Sequence, residues 1–185
     1  LSEETADQVK GCEGLIILTN CHVTEPVAKT LAANGVKYIA CRSAGSDHVD
    51  YAAVTKYGMQ CAHVPAYAPE AISEHTVMLA LEVLRHAKLC ARKVEEGDFT
   101  MAGLKGRQLG NLTAGVLGTG RIGRVTMSIL NGFGTKVLGW DPFPNDAAAK
   151  LCTYVEKEEL LKAADIVFLH CPLTDDSYHT INEET

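Results

Sequence analysis

AGVLGTGRIGRVTMSILNGFGTKVLGW, Ala114 to Trp140, followed at once by Asp141, is the stretch that decides the fold of this chain. Gly118, Gly120 and Gly123 stand at G-x-G-x-x-G spacing, directly after the apolar run Ala114 to Leu117 and directly before an amphipathic helical pattern. Strand, glycine loop and helix in that order describe a dinucleotide-binding turn. Gly118 permits the tight turn, Gly120 lets the backbone approach a pyrophosphate, and Gly123 lets the helix pack closely on its strand. The anion then rests on free N–H groups at the helix start. A second apolar run, Lys136 to Trp140, delivers Asp141 eighteen residues after Gly123, where a carboxylate can hold a ribose 2′-hydroxyl. Its charge would repel a 2′-phosphate and no Arg follows nearby to compensate, so the cofactor read here is NAD rather than NADP. The competing reading is a loop of structural glycines in an unrelated α/β protein.

Outward from this unit, short apolar runs alternate with helical patterns, which predicts an α/β fold of parallel sheets with helices packed on their faces. Strands are expected at Gly14 to Thr19, Lys37 to Cys41 and Met59 to Val64. The helices between them, Glu25 to Asn34 and Asp50 to Tyr57, are each stopped by a glycine, Gly35 and Gly58. Glu3 to Cys12 also reads as helix. A single long helix is expected from Pro69 to about Val94; around Val77 to Leu84 it is apolar on nearly every side, which predicts burial on all faces. It would pass the chain between domains or meet a second subunit, or be an ordinary core helix. After Asp141 come a turn at Pro142 and Pro144, a strand at Cys152 to Val155, a helix at Glu156 to Ala163, a strand at Asp165 to Cys171, and a helix start at INEET, 181–185. Only four strands are visible where a doubly wound domain uses about six, so truncation at both ends is expected.

Composition narrows the function. The chain has 185 residues, 46% apolar and 22% charged, with a net charge of −6. That balance argues against a nucleic-acid or membrane-surface partner, both of which need clustered positive charge. No apolar run is long enough to suggest a membrane span, and the N-terminus carries no signal-peptide pattern. Seven cysteines without a C-x-x-C pair leave an odd thiol under any pairing; a reducing cytoplasm is the natural reading. No spacing suits a metal site, and no G-x-S-x-G or Cys/His nucleophile signature occurs.

Two further strand ends draw notice, because open α/β sheets place ligands there. In CRSAGSDHVD, Cys41 to Asp50, Ala44 and Gly45 could present backbone N–H groups to a carboxylate; the alternative is a plain strand-to-helix turn. In VPAYAPEAISEHT, Val64 to Thr76, Tyr67 could offer its hydroxyl to a ligand or simply pack at a helix start. His75, His86 and His170 fall on expected elements and read as structural; His22, His48, His63 and His179 lie near element ends.

Taken in order, RSAGSDHVD, VPAYAPEAISEH, GVLGTGRIG with WDPFP, and ADIVFLHCPLT resemble the D-isomer-specific 2-hydroxyacid dehydrogenases, within them the D-lactate dehydrogenase branch. The resemblance covers nearly the whole chain. It implies a partial flavodoxin-like substrate domain over 1–67, lacking its first strand, and a partial Rossmann-type NAD domain over 68–185, flanking a cleft. It also implies hydride transfer between NAD and a small 2-oxo or 2-hydroxy acid, with pyruvate and D-lactate foremost and 2-oxoisocaproate as a rival, in a homodimer joined through the NAD domain. By resemblance the substrate carboxylate meets Ser43, Ala44 and Gly45, and the hinge tyrosine is Tyr67. For NAD, the loop N–H groups fall on Arg121 and Ile122, the ribose acid on Asp141, and the adenine-side wall on Cys171 and Pro172. Ser177 stands where the family often has Thr or Asn near the cofactor. The family's catalytic Arg, Glu and His would lie after Thr185, so no catalytic residue is expected within the chain and the 185-residue piece alone should be inactive. His48 stands where Asn is commoner, and Ala68 where a Ser often caps the long helix. A related alternative is an NAD-sensing transcriptional corepressor without turnover, against which the Tyr67 motif speaks.

Overall fold

A computed structural model describes residues 1–183 and 185. The chain forms two compact units, Leu1–Tyr67 and Ala68–Thr185.

The first unit is a parallel sheet of β1 (Gly14–Ile17), β2 (Tyr38–Cys41) and β3 (Gln60–His63), in the order β1-β2-β3. Two crossover helices, α1 (Glu25–Ala33) and α2 (Tyr51–Lys56), link them. Pro26 suits the first turn of α1, and Gly35, at φ 94°, turns the chain out of it. Asp50 caps α2 by accepting the Ala53 N–H at 2.9 Å. Val27, Ala28 and Leu31 of α1 and Ala53 and Val54 of α2 bury against Ile17, Ile39 and Cys41. The opposite face of the sheet is uncovered, with Ile16 79% and Tyr38 54% exposed. Helices therefore cover one face here, where both faces were expected to be packed. The opening is a short 3-10 helix, Ala6–Val9, ended by Gly11 at φ 87°, and not a helix over Glu3 to Cys12.

In the second unit α3 (Pro69–Leu84) and α4 (Ala87–Glu95) lead into a parallel sheet. Its strands are β4 (Thr113–Leu117), β5 (Lys136–Trp140), β6 (Thr153–Tyr154) and β7 (Ile166–Leu169), in the order β6-β5-β4-β7. Between them run α5 (Arg121–Gly132), α6 (Asp146–Ala149) and α7 (Lys157–Ala163). β4 is central and buried from Ala114 onward, as a strand covered on both faces must be. Ala114 and Val116 join Met127 and Leu130 of α5 and Val77 and Ala80 of α3 in one core. Leu117 joins Leu160 of α7 and Leu138 of β5 in another.

The expected single helix over 69–94 is two helices. His86 adopts a left-handed conformation, φ 54° and ψ 37°, and its ring Nε2 lies 3.2 Å from the Lys105 carbonyl. The Leu84 carbonyl accepts the Arg107 N–H at 3.0 Å. The returning segment of the 97–111 loop thus takes up the carbonyl that a continuing helix would need. Nor is α3 buried on all sides: Ser73, Val77 and Ala80 are buried, but Met78, Leu79 and Val83 are exposed. Ala68 precedes α3 without a side-chain cap. The segment after Pro144 holds an unforeseen helix, α6, capped by Asn145 through the Ala148 N–H. Residues 181–183 are bends and a turn, not the start of a helix, and residue 184 of that expected start lies outside the described residues.

Gly115 sits where α7 crosses β4, and a Cβ there would fall on Leu160 Cδ2 and come within 3.1 Å of Ala164 Cβ. Gly115→Ala should destabilise the fold by about 1–3 kcal/mol through overpacking. In a Leu160→Ala background the same change should cost measurably less, because the obstructing side chain is gone. Urea unfolding of the four proteins of this cycle gives the coupling.

Candidate cofactor site

The glycine loop connects the C-terminal end of β4 to the first turn of α5, and its three glycines have different surroundings. Gly118 has φ 92°, and a Cβ there would meet the backbone of His170 and Cys171 as the chain leaves β7. Gly123 lies in the first turn of α5, where a Cβ would fall on the Gly118 carbonyl oxygen. Gly120 is the residue before α5, and around its Cβ position there is open space. Of the three glycines, Gly120 alone leaves room above its backbone. Arg121 and Ile122 open α5, so their N–H groups lack intrahelical acceptors. The Ile122 carbonyl accepts the hydroxyl of buried Ser73 at 3.0 Å, which fixes the start of α5 to α3.

Asp141 follows β5 and is turned back towards the loop. Its Oδ2 accepts the Thr119 N–H at 2.6 Å and the Thr119 hydroxyl at 3.2 Å, and its Oδ1 accepts the Phe143 N–H at 2.9 Å. Thr119 is fully buried and also meets Tyr154 Oη at 2.7 Å. Thr119, Asn145 and Tyr154 escaped the sequence reading, although Thr119 occupies the first variable position of the glycine motif. A groove of about 560 Å³ beside Asp141 is lined by Trp140, Pro142, Pro144, Tyr154 and Glu156 among others.

Cys171 and Pro172 follow β7. The Cys171 backbone lies against Gly118, so β4, β5 and β7 bring the glycine loop, Asp141 and Cys171 to the same end of the sheet. Ser177 is engaged locally: its hydroxyl donates to the Pro172 carbonyl at 2.7 Å and accepts the Thr174 N–H at 2.7 Å, closing the loop after β7. His170 meets the fully buried Thr126 hydroxyl through Nε2 at 2.9 Å, which agrees with a structural histidine.

In the first unit, Ser43, Ala44 and Gly45 form the bend after β2. The Ser43 hydroxyl donates to the Gly45 carbonyl at 2.7 Å, the Ser43 carbonyl accepts the Val64 N–H at 3.1 Å, and His63 Nδ1 lies 2.9 Å from the Ala44 carbonyl. The carbonyls are thereby engaged, while no hydrogen bond among the described residues uses the Ala44 or Gly45 N–H. His48 is buried, with no partner for Nε2 among the described residues. Tyr67 is 63% exposed at the end of this unit. Among the described residues no three His, Cys, Asp or Glu side chains gather as a metal site, and no helix is long and apolar enough to cross a membrane.

A family model described as the NAD-binding domain of the D-isomer specific 2-hydroxyacid dehydrogenases matches residues 77–185. The chain belongs to this family. D-lactate dehydrogenase of Escherichia coli (strain K12) is 40% identical over 184 residues, 99% of this chain and 56% of that protein. An aromatic 2-oxoacid reductase of Clostridium sporogenes is 41% identical over 181 residues, 97% of this chain and 55% of that protein. The D-lactate dehydrogenase of Aquifex aeolicus, solved with NAD and lactic acid, superposes with a TM-score of 0.88 at 34% identity, over 100% of this chain and 54% of that one. The chain thus spans a little over half the length of the relatives it matches. In this dehydrogenase family the matched domain binds NAD, and the glycine loop and Asp141 lie inside it.

Burial pushes the pKa of His170 below its ordinary 6.5. The folded state therefore favours the neutral ring, and its contribution to stability is present above pH 6.5 and is lost as the pH falls through the folded value. Between pH 7 and 5 the thermal midpoint of the parent should fall more steeply than that of His170→Gln, which keeps a polar partner for Thr126 but does not titrate. Scanning calorimetry across that range measures the difference.

Proposed function

We propose that the protein carrying this chain is an NAD-dependent oxidoreductase that interconverts a 2-oxo acid and a D-2-hydroxy acid, with pyruvate and D-lactate as the leading pair. The observation that carries the reading is the Asp141 carboxylate, fixed by Thr119 and Phe143 beside the open Gly120. A pyrophosphate against Gly120, Arg121 and Ile122 leaves the adenosine ribose within reach of an acidic acceptor. In this reading Gly118 and Gly123 shape the loop, Cys171 and Pro172 wall the cofactor on its adenine side, and Ser177 stands near the cofactor. When bound, NAD supplies or accepts the hydride. The free N–H groups of Ala44 and Gly45, in a bend braced by Ser43 and His63, suit a substrate carboxylate, and exposed Tyr67 offers a hydroxyl to the same ligand. No proton transfer is assigned to a residue of this chain.

A bulkier 2-oxo acid is the second reading, and the 41% identity to an aromatic 2-oxoacid reductase favours it. The protein is further proposed to be a homodimer through the second unit, where α3 leaves Met78, Leu79 and Val83 exposed. Seven free thiols suit a reducing cytoplasm.

The full-length protein, mixed with NADH and pyruvate, 2-oxoisocaproate or phenylpyruvate in turn, should consume NADH absorbance with at least one of them; no turnover on any would overturn the dehydrogenase reading. Asp141→Ala should weaken NADH binding roughly tenfold or more, the usual effect of removing a charged hydrogen-bond acceptor, and narrow the gap to NADPH. Fluorescence titration with each dinucleotide reads both changes.

A further inference from the structure

We propose that Tyr154 is a positioning residue of the cofactor site: its hydroxyl aligns Thr119 and the segment after Asp141, and thereby sets the preference for NAD over NADP. The proposal rests on Asp141 being the ribose acid.

The direction of each hydrogen bond follows from counting protons. Asn145 Oδ1 is occupied by the Ala148 N–H at 3.0 Å, so its amide nitrogen faces Thr119, donating to Thr119 Oγ1 and to the Thr119 carbonyl, each at 3.3 Å. Tyr154 Oη accepts the Asn145 backbone N–H at 3.2 Å. Between Tyr154 Oη and Thr119 Oγ1, 2.7 Å apart, either atom could donate. If Thr119 donated there, its single proton would be turned away from Asp141, and the Tyr154 proton would be left without an acceptor in the network. If Tyr154 donates, every group is used. Thr119 Oγ1 then accepts from Tyr154 and from Asn145, and gives its one proton to Asp141 Oδ2 at 3.2 Å. Thr119 is fully buried, so no solvent competes for its hydroxyl.

The chain runs in one direction, from the Asn145 N–H through Tyr154 and Thr119 to Asp141. Oδ2 already receives two donors from Thr119, whereas Oδ1 receives one, from Phe143. Oδ1 is therefore the oxygen with room for a ribose hydroxyl. The same tyrosine pins Asn145, so residues 142–145 are held at both ends, at Asp141 and at Tyr154. A carboxylate held from two sides cannot swing aside for a 2′-phosphate. Without the Tyr154 hydroxyl, the Asn145 N–H loses its acceptor and Thr119 loses a donor, and a coupled network weakens as a unit.

The test uses the full-length protein, NADH and NADPH, with dissociation constants read by fluorescence titration. Tyr154→Phe keeps the ring and should raise the NADH constant roughly 3- to 10-fold, the effect of about one net hydrogen bond, while that of NADPH stays level or falls. In an Asp141→Ala background the same change should do nothing further to NADH. Thr119→Val should reproduce the loss and Thr119→Ser should restore it, a pair that decides the matter if Tyr154→Phe fails to fold. Equal weakening of both dinucleotides, an undiminished effect in the Asp141→Ala background, or unchanged NADH binding would each overturn the role of Tyr154 while leaving Asp141 standing. If Asp141→Ala itself alters neither constant, the ribose-acid reading falls and the proposal with it.

Discussion

The contact on which the second unit depends is the approach of Gly123 to the carbonyl of Gly118, where there is no room for a single additional carbon. It seats the first turn of α5 directly on the end of β4. From that seat α5 carries Met127 and Leu130 onto Ala114 and Val116, each such side chain contributing about 1.5–3 kcal/mol of apolar burial. Gly118 is confined on its other side by the chain leaving β7. One loop residue thus sets the spacing of a helix, its own strand and the neighbouring strand, and α3 is tied in through Ser73. The geometry that lets a ligand approach Gly120 is a by-product of this close packing: two glycines are sealed by protein, and the third is left bare.

Around that rigid centre the charged group is prepared before any ligand arrives. A carboxylate with three protein donors has little orientational freedom to lose on binding, and a preorganised acceptor favours its matching ligand over a bulkier, charged one. The first unit applies the same device in reverse. Ser43, Val64 and His63 engage the carbonyls of the bend after β2, and no hydrogen bond among the described residues uses the Ala44 or Gly45 N–H. In the proposed reading an anion would be held there by backbone donors left over when the acceptors are occupied, not by added positive charge, which suits a chain of net charge −6.

Much of this was legible in the sequence because it is written locally. The strand, three glycines, helix and acid lie within 28 residues, and the contact of Gly123 with the Gly118 carbonyl falls inside that span. The central strands were legible for a similar reason: covered on both faces, they are continuous apolar runs. What escaped is non-local. The break at His86 depends on Lys105 and Arg107, some twenty residues away, and histidine carries no helix-breaking signal of its own. Tyr154 meets Thr119 across 35 positions, one on a two-residue strand and the other in a variable position of the motif. The exposed apolar side of α3 was misread because composition alone does not tell a buried face from one left uncovered. The uncovered face of the first sheet, with Ile16 and Tyr38 exposed, is the same case.

That uncovered face of the first sheet has a dynamic consequence. Alternate residues of β1 and β2 stand in water while their neighbours pack on α1 and α2, so each strand is held by one layer of side chains instead of two. Local opening takes less free energy where fewer apolar contacts must be broken. The two sheets should therefore breathe unequally. The bend that presents Ala44 and Gly45 hangs from the looser one, and the glycine loop is anchored in the stiffer one, so within this chain the adaptable element is the bend proposed to meet the substrate carboxylate and the fixed element is the glycine loop.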